Sequence, residues 1–213
     1  MNTARLENTE NNNTIVAATH NKHKIEEISA IIKKFGLELI SEEEAGLPQL
    51  EIEEDGSSFE ENSFKKAYEI MKLCGRATLA DDSGLMVDYL GGAPGVHSAR
   101  FAGDKADDTR NNDKLLSLLA NVETKERTAK FVSVITLVYP SGERLVARGE
   151  CPGRILLEPA GENGFGYDPL FVPDGYDKTF AQLSADEKNQ ISHRAAALRE
   201  LERLLREKEG ASV

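Results

Sequence analysis

The sequence has no apolar run approaching the roughly 18 to 20 residues that a membrane-spanning helix needs, which excludes a helical membrane protein. Its first residues, MNTARLENTENNNT, lack both a basic region and an apolar stretch, so no secretory signal is expected and the cytoplasm is the expected compartment. Cysteine is scarce. Cys74 and Cys151 are far apart and too few for a disulfide framework, and both read as reduced, partly buried thiols without chemistry. Positive charge is also short: 26 Lys and Arg stand against 37 Asp and Glu, a formal net charge of −11. A chain of pI about 5.0 lacks the broad basic surface that a nucleic acid polymer or an anionic membrane requires, so neither is an expected partner. A small polyanion stays compatible if local cations and a divalent metal offset the field of the whole protein. Two phosphate-binding signatures are missing as well. G-x-x-x-x-G-K-[ST] occurs nowhere, and GFGYDP (164 to 169) opens like a dinucleotide fingerprint but has neither its third glycine nor a helix after it.

What is present describes an ordinary globular chain, 39% hydrophobic and 30% charged, long enough at 213 residues to bury roughly 70% of its unfolded surface. Residues 1–13 are polar and Asn-rich and read as a disordered leader, with the folded domain spanning 14–213. TIVAAT is a short buried strand. NKHKIEEISAIIKKFG follows as a helix whose Ile25, Ile28, Ile31, Ile32 and Phe35 form one stripe, closed by Gly36. LELI is a second strand. The run SSFEENSFKKAYEIMKLCG predicts a helix opened by a capping box of Ser58 and Glu61 and ended at Gly75. A strand, turn and strand are expected across LADDSGLMVD, then a glycine-rich loop, a helix around DDTRNNDKLLSLLANV, and a long antiparallel hairpin about Ser141-Gly142. The tail carries a capping box of Ser184 and Glu187 and predicts one helix running through Ile191, Arg194, Leu198 and Leu201. Together these give the α/β class with a mixed sheet and flanking helices.

The chemistry concentrates in a few places. On a regular strand Asp81 and Asp82 would point to opposite faces, so both reach one site only if the chain turns at DDSG, which Ser83-Gly84 permits. Carboxylates aimed from a strand end suit Mg²⁺, a hard cation that takes oxygen ligands; an Asx-type turn with both acids solvated is the other reading. Glu54, in the acidic run EIEEDG, could add a distant ligand or lie in a solvated loop. Thr19, Asn21 and Lys24 straddle a strand-to-helix junction, where free N–H groups favour phosphate, although Asn21 also reads as a plain N-cap. His20 and His23, with no further His or Cys close in sequence, read as solvated rather than as a metal site. Lys66 is on a helix face that could be surface. Phe165 or Tyr167 could stack on a base or sit in the core. Arg194, on the apolar stripe of the tail, is costly there unless its head snorkels to water or meets an anion, and an interior anion would explain it.

These signals occur together, in order, in ATHNKHK, EEDGSSFEENSFKKA, LADDSGLMVDYLGGAPGVHSARFAG, GFGYDPLF and LSADEKNQISHRAAAL. On those stretches the chain from about Ile15 to Leu205 resembles the inosine/xanthosine triphosphate pyrophosphatase family, which removes deaminated purine nucleotides. The resemblance implies an elongated mixed β-sheet with flanking helices, two lobes around a central substrate cleft, a homodimer, and Mg²⁺-assisted hydrolysis of a purine nucleoside triphosphate to the monophosphate and pyrophosphate. It implies Asp82 as general base, with Glu54, Asp81 and Asp82 around the metal. Thr19, Asn21, Lys24 and Lys66 would hold the phosphates, helped by Ser83, and the whole stretch including His20, Lys22 and His23 is expected at the substrate. Phe165 would stack on the base, with Gly166, Tyr167, Asp168, Lys188, His193 and Arg194 around base and sugar. Position 20 is His where relatives often carry a small residue. A pyrophosphatase for other altered nucleotides, or a nucleotide-binding sensor without turnover, are the rival expectations.

Overall fold

The structure, a computed structural model, describes residues 13–210 apart from 49, 104 and 106. The expected leader therefore lies outside the described residues, except for Asn13, whose carbonyl accepts the Glu38 N–H. Six strands form one sheet: β1 (Thr14–Ala17), β2 (Glu38–Ile40), β3 (Thr78–Val87), β4 (Thr128–Val138), β5 (Arg144–Ile155) and β6 (Phe171–Pro173), in the order β2-β1-β3-β4-β5-β6. The first three are parallel and the rest antiparallel, the mixed sheet that the sequence predicts, with β4 and β5 as its long hairpin.

Helices cover both faces. Helix α1 (Lys22–Ile32) follows β1, α2 (Phe59–Cys74) precedes β3, α3 (Asp108–Leu118) precedes β4, and the tail forms α4 (Ala185–Ile191) and α5 (His193–Gly210). Alternation along β3 assigns the faces. Leu79 packs with Ile28, Ile31 and Ile32 of α1 and with Ala195, Leu198 and Leu201 of α5, whereas Ala80 packs with Ala67, Ile70 and Met71 of α2. Burial of each large side chain in these clusters contributes about 1.5–3 kcal/mol. A further core joins Leu85 and Val87 of β3 to Leu115 and Leu119 near the end of α3 and to Phe131, Phe171 and Phe180.

Three local expectations change. No turn occurs at DDSG: β3 runs unbroken from Thr78 to Val87, paired to β4 at every position. Gly84 serves a close approach instead, because a Cβ there would lie 2.4 Å from the Gly95 carbonyl oxygen and 2.4 Å from the Ser98 hydroxyl. Ser58 does cap α2 by accepting the Glu61 N–H, but the Glu61 carboxylate bonds Ser57 rather than closing the box on Ser58. The tail is two helices, since Ser192 is extended (ψ 160°) and ends α4 before α5 begins. The Ser184–Glu187 capping box is formed as expected.

Strand lengths leave part of one edge without a partner strand, apart from an isolated bridge between Met86 and Pro94. β1 pairs with β3 only at Thr78 and Leu79, while β3 continues for eight more residues to Val87.

Candidate active site

A cavity of about 650 Å³ lies along that part of the β3 edge. Its walls come from the β1–α1 junction, the acidic stretch 50–54, α2 through Lys66, β3 through Asp82–Gly84, the loop 96–100, and the 165–168 loop with Lys188, His193 and Arg194.

That edge lets an unbent strand serve the cavity from both faces. On the face of α1 and α5, the fully buried Asp81 carboxylate accepts from Ser133, from Ser83 (3.1 Å), from Lys24 (2.9 Å) and from Arg194 (3.2 Å). On the α2 face, Lys66 bridges Glu54 (2.6 Å) and Asp82 (3.4 Å). Around the strand edge the two ammonium groups converge on a single backbone oxygen, the carbonyl of Asp81, at 3.4 Å from Lys24 and 3.1 Å from Lys66. The adjacent acids are thus separated by the strand itself and neutralised by different cations.

Their electrostatics diverge accordingly. Burial pushes the Asp81 carboxyl up, but Arg194, Lys24 and the Ser133 hydroxyl outweigh it and hold the group well below the usual carboxylate range. Burial wins at Asp82, whose carboxyl is raised despite Lys66 and Lys24. One oxygen of Asp82, Oδ2, is buried with no hydrogen-bond partner among the described residues. Such an orphan is costly unless something meets it.

At the helix junction, Asn21 is the N-cap of α1 and accepts the Lys24 N–H at 3.2 Å, while Thr19 accepts the Asn21 N–H at 3.3 Å. His20 lines the cavity and pairs with the buried Glu42 at 3.2 Å. Lys22 is exposed and is not among the cavity walls, and His23 lies outside the cavity with its ring stacked on Phe165.

At the far end, Asp168 accepts the Phe165 N–H (2.9 Å) and the Lys188 ammonium (2.7 Å). Lys188 and Arg194 also share Glu27 of α1, the anion that, with Asp81, makes a buried guanidinium tolerable. Tyr167 is buried and donates to the Ser98 carbonyl at 2.9 Å. His193 stacks on Phe131 (4.7 Å between centroids), and burial followed by the Arg194 charge holds its imidazole well below the ordinary range, hence neutral. Its Nδ1 and the Arg194 Nε are buried without partners among the described residues.

Of the residues singled out in the sequence, the walls gather Thr19, His20, Asn21, Lys24, Glu54, Lys66, Asp82, Ser83, Phe165, Gly166, Tyr167, Asp168, Lys188, His193 and Arg194. Asp81 stands behind them. Among the described residues no three His, Cys, Asp or Glu side chains are grouped to hold a metal. The donors that fit a hard cation are the orphan oxygen of Asp82 and the Glu54 carboxylate, now joined through Lys66; the oxygens of Asp81 are already taken.

The sequence reading missed several contributors. Arg100 donates to the Glu54 carbonyl at 2.8 Å and so fixes the acidic stretch; a cation inside GVHSARFAG was the available signal. Asp108 accepts the Gly166 N–H at 2.6 Å and Asn112 donates to the Gly166 carbonyl at 2.9 Å, a clamp from α3 on the 165–168 loop. Their i, i+4 spacing on one predicted helix was a weak signal, and for Glu27 there was none.

The chain matches the family model described as the Ham1 family over residues 15–204. It is 52% identical over 192 residues to a dITP/XTP pyrophosphatase of Clostridium perfringens, covering 87% of this chain and 94% of that relative. It is 46% identical over 190 residues to a dITP/XTP pyrophosphatase of Bacillus subtilis, covering 89% and 96%. Among solved structures, the Staphylococcus aureus Ham1 protein superimposes with a TM-score of 0.81 at 42% identity, covering 92% of this chain and 99% of that one. A HAM1 protein from Coxiella burnetii does so with a TM-score of 0.82 at 40% identity, covering 91% and 98%.

Proposed function

The chain belongs to the Ham1 family, and from that membership we infer that it hydrolyses deaminated purine nucleoside triphosphates (ITP, dITP and XTP) to the monophosphate and pyrophosphate. The observation that carries the reading to particular atoms is Asp82: a buried carboxylate, raised by burial, with one unpartnered oxygen in a cavity that also holds Lys24, Lys66, Lys188 and Arg194. Five Lys and Arg side chains line the cavity beside seven Asp and Glu, so a polyanionic substrate fits there together with a divalent cation that offsets the acids.

Water attacks the α-phosphorus and gives its proton to the Asp82 carboxylate, while the α–β phosphoanhydride bond breaks and pyrophosphate leaves. Lys24, Lys66 and the backbone N–H groups at the start of α1 hold the phosphates, with Thr19 and Asn21 fixing that turn. Glu54 and Asp82 would hold Mg²⁺, which would supply charge neutralisation on the phosphate oxygens. Asp81 orients Lys24 and Arg194 rather than binding the metal directly. Phe165 stacks on the purine. The Arg194 Nε, and the His193 Nδ1 in the tautomer that carries the proton there, are buried donors without a partner among the described residues and suit a 6-oxo group; an adenine amino group there would leave donors facing donors, at about 1–3 kcal/mol per unpaired group. We read residues 14–213 as one domain with two lobes about the cleft, acting as a homodimer in the cytoplasm.

Product analysis across ITP, dITP, XTP, GTP, ATP and modified pyrimidine triphosphates, with and without Mg²⁺, tests this. Pyrophosphate from the first three, dependent on Mg²⁺, is expected. Orthophosphate from ITP, or equal hydrolysis of ATP, refutes it.

A further inference from the structure

The Phe165 ring is supported from outside the cavity. Its neighbour is His23, in the first turn of α1, with ring centroids 5.3 Å apart and planes within 12° of parallel. That separation admits no third ring between them. His23 is mostly exposed, and among the described residues its one charged partner is Glu26, 3.9 Å from Nδ1, so no core packing there demands an aromatic ring. Phe165 itself is a partition. It lines the main cavity and also a second hollow, as Lys188 does, and His23 lines only that second hollow. Lys188 and Arg194 approach the same ring at 4.9 and 5.9 Å.

We propose that His23 is a positioning residue for base recognition: it backs Phe165, so that the two rings form a prepared platform and the purine becomes a third layer on the cavity side. The inference rests on Phe165 being the base-stacking residue. A lone phenylalanine on a loop loses rotamer freedom when a base binds; one already stacked has lost it beforehand, and the binding step is spared that cost. Because His23 directly precedes Lys24, the platform also ties the base end of the cavity to the helix turn that takes the phosphates.

Four chains test it: the parent, His23→Ala, His23→Phe and Phe165→Ala. Steady-state kinetics with dITP are measured together with inhibition by inorganic tripolyphosphate, which has phosphates and no base. From the usual worth of an aromatic pair, His23→Ala should raise KM about 3- to 10-fold with kcat within about 2-fold of the parent. Tripolyphosphate inhibition should be unchanged, and His23→Phe should restore KM. An unaltered KM in His23→Ala, beside a raised KM in Phe165→Ala, overturns the backing role and leaves base stacking intact. Equal weakening of tripolyphosphate and dITP also overturns it, by placing His23 at the phosphates, and so does failure of His23→Phe to rescue. An unaltered KM in Phe165→Ala removes the stacking reading on which the inference depends.

Discussion

Gly149 of β5 is the position where one methyl group should do the most damage. Its φ is not in the left-handed region, so alanine is acceptable to the backbone and only space decides. A Cβ there would lie 2.1 Å from the Ala197 nitrogen, 2.2 Å from the His193 carbonyl oxygen and 2.8 Å from the Ala196 carbonyl carbon. All three are backbone atoms of α5, so no side chain can swing aside. Reaching an ordinary contact of 3.4 Å from 2.1 Å requires α5 to move by 1.3 Å. Overpacking of this kind costs about 3 kcal/mol at the upper end of its usual range. In a chain of this length that lowers Tm by roughly 6–12 °C. The catalytic effect should be larger than the stability effect suggests, because α5 begins with His193 and Arg194, and a misplacement of about 1 Å can cost about 100-fold in rate. Thermal unfolding and kcat/KM measured on Gly149→Ala, beside Gly142→Ala, check this. Gly142 sits at φ +86° with open space around it, so its substitution carries only a backbone penalty of about 1 kcal/mol and leaves activity unchanged. Parent-like Tm and activity in Gly149→Ala, or equal loss of activity in both variants, would refute the reasoning.

Asp82→Asn should reduce kcat by about 100-fold or more while nucleotide binding, followed by calorimetry, is largely kept; unchanged hydrolysis would remove Asp82 from its role. Glu27→Gln should lose about 2 kcal/mol at neutral pH, less than the roughly 3–5 kcal/mol of a buried pair broken outright, because Arg194 keeps Asp81. Burial raises the Glu27 carboxyl but Arg194 and Lys188 hold it below the ordinary value, so its stabilisation is complete above the normal carboxylate range and fades as pH falls through the lowered folded-state value. Denaturant melts of Glu27→Gln and parent should therefore converge in acid, and a constant gap down to pH 3 contradicts the pairing. Burial pushes the Cys151 thiol up to about 11, so native protein should resist iodoacetamide at pH 8 at this position, with peptide mapping showing alkylation there only after unfolding. Asp108→Ala frees the Gly166 N–H and should raise KM for dITP several-fold with little change in Tm, whereas Asp108→Asn, which keeps an acceptor oxygen, should fall between it and the parent.

The elements carried by periodicity were legible: the stripe of α1, the hairpin of β4 and β5, and the N-caps at Ser58 and Ser184 all follow from local chemistry. Where local reasoning failed, a long-range contact had decided the outcome. Ser83-Gly84 reads as a turn in isolation, yet glycine is required there because the loop at Gly95 and Ser98 presses on the strand. The two acids were legible as chemistry, but their division of labour was not, since it depends on β1 ending two pairs into β3 and on helices distant in sequence supplying different cations. An interior anion was recognisable as an explanation for Arg194, whereas Glu27, 167 residues away, had nothing in its own neighbourhood to mark it. The break at Ser192 was invisible for a similar reason: the capping pattern marks where a helix begins, and no glycine or proline marks this stop.

Beyond Leu79 the border of β3 is closed by side chains and a loop rather than by a further strand, and every backbone group so covered needs a partner. Those partners include Lys24 and Lys66 on the Asp81 carbonyl, the Ser98 hydroxyl on the Leu85 N–H and the Ala93 carbonyl on the Val87 N–H. Groups suited to gripping a nucleotide thereby also satisfy the strand, so stripping the charge from both lysines would leave a buried carbonyl without a partner and cost stability as well as turnover.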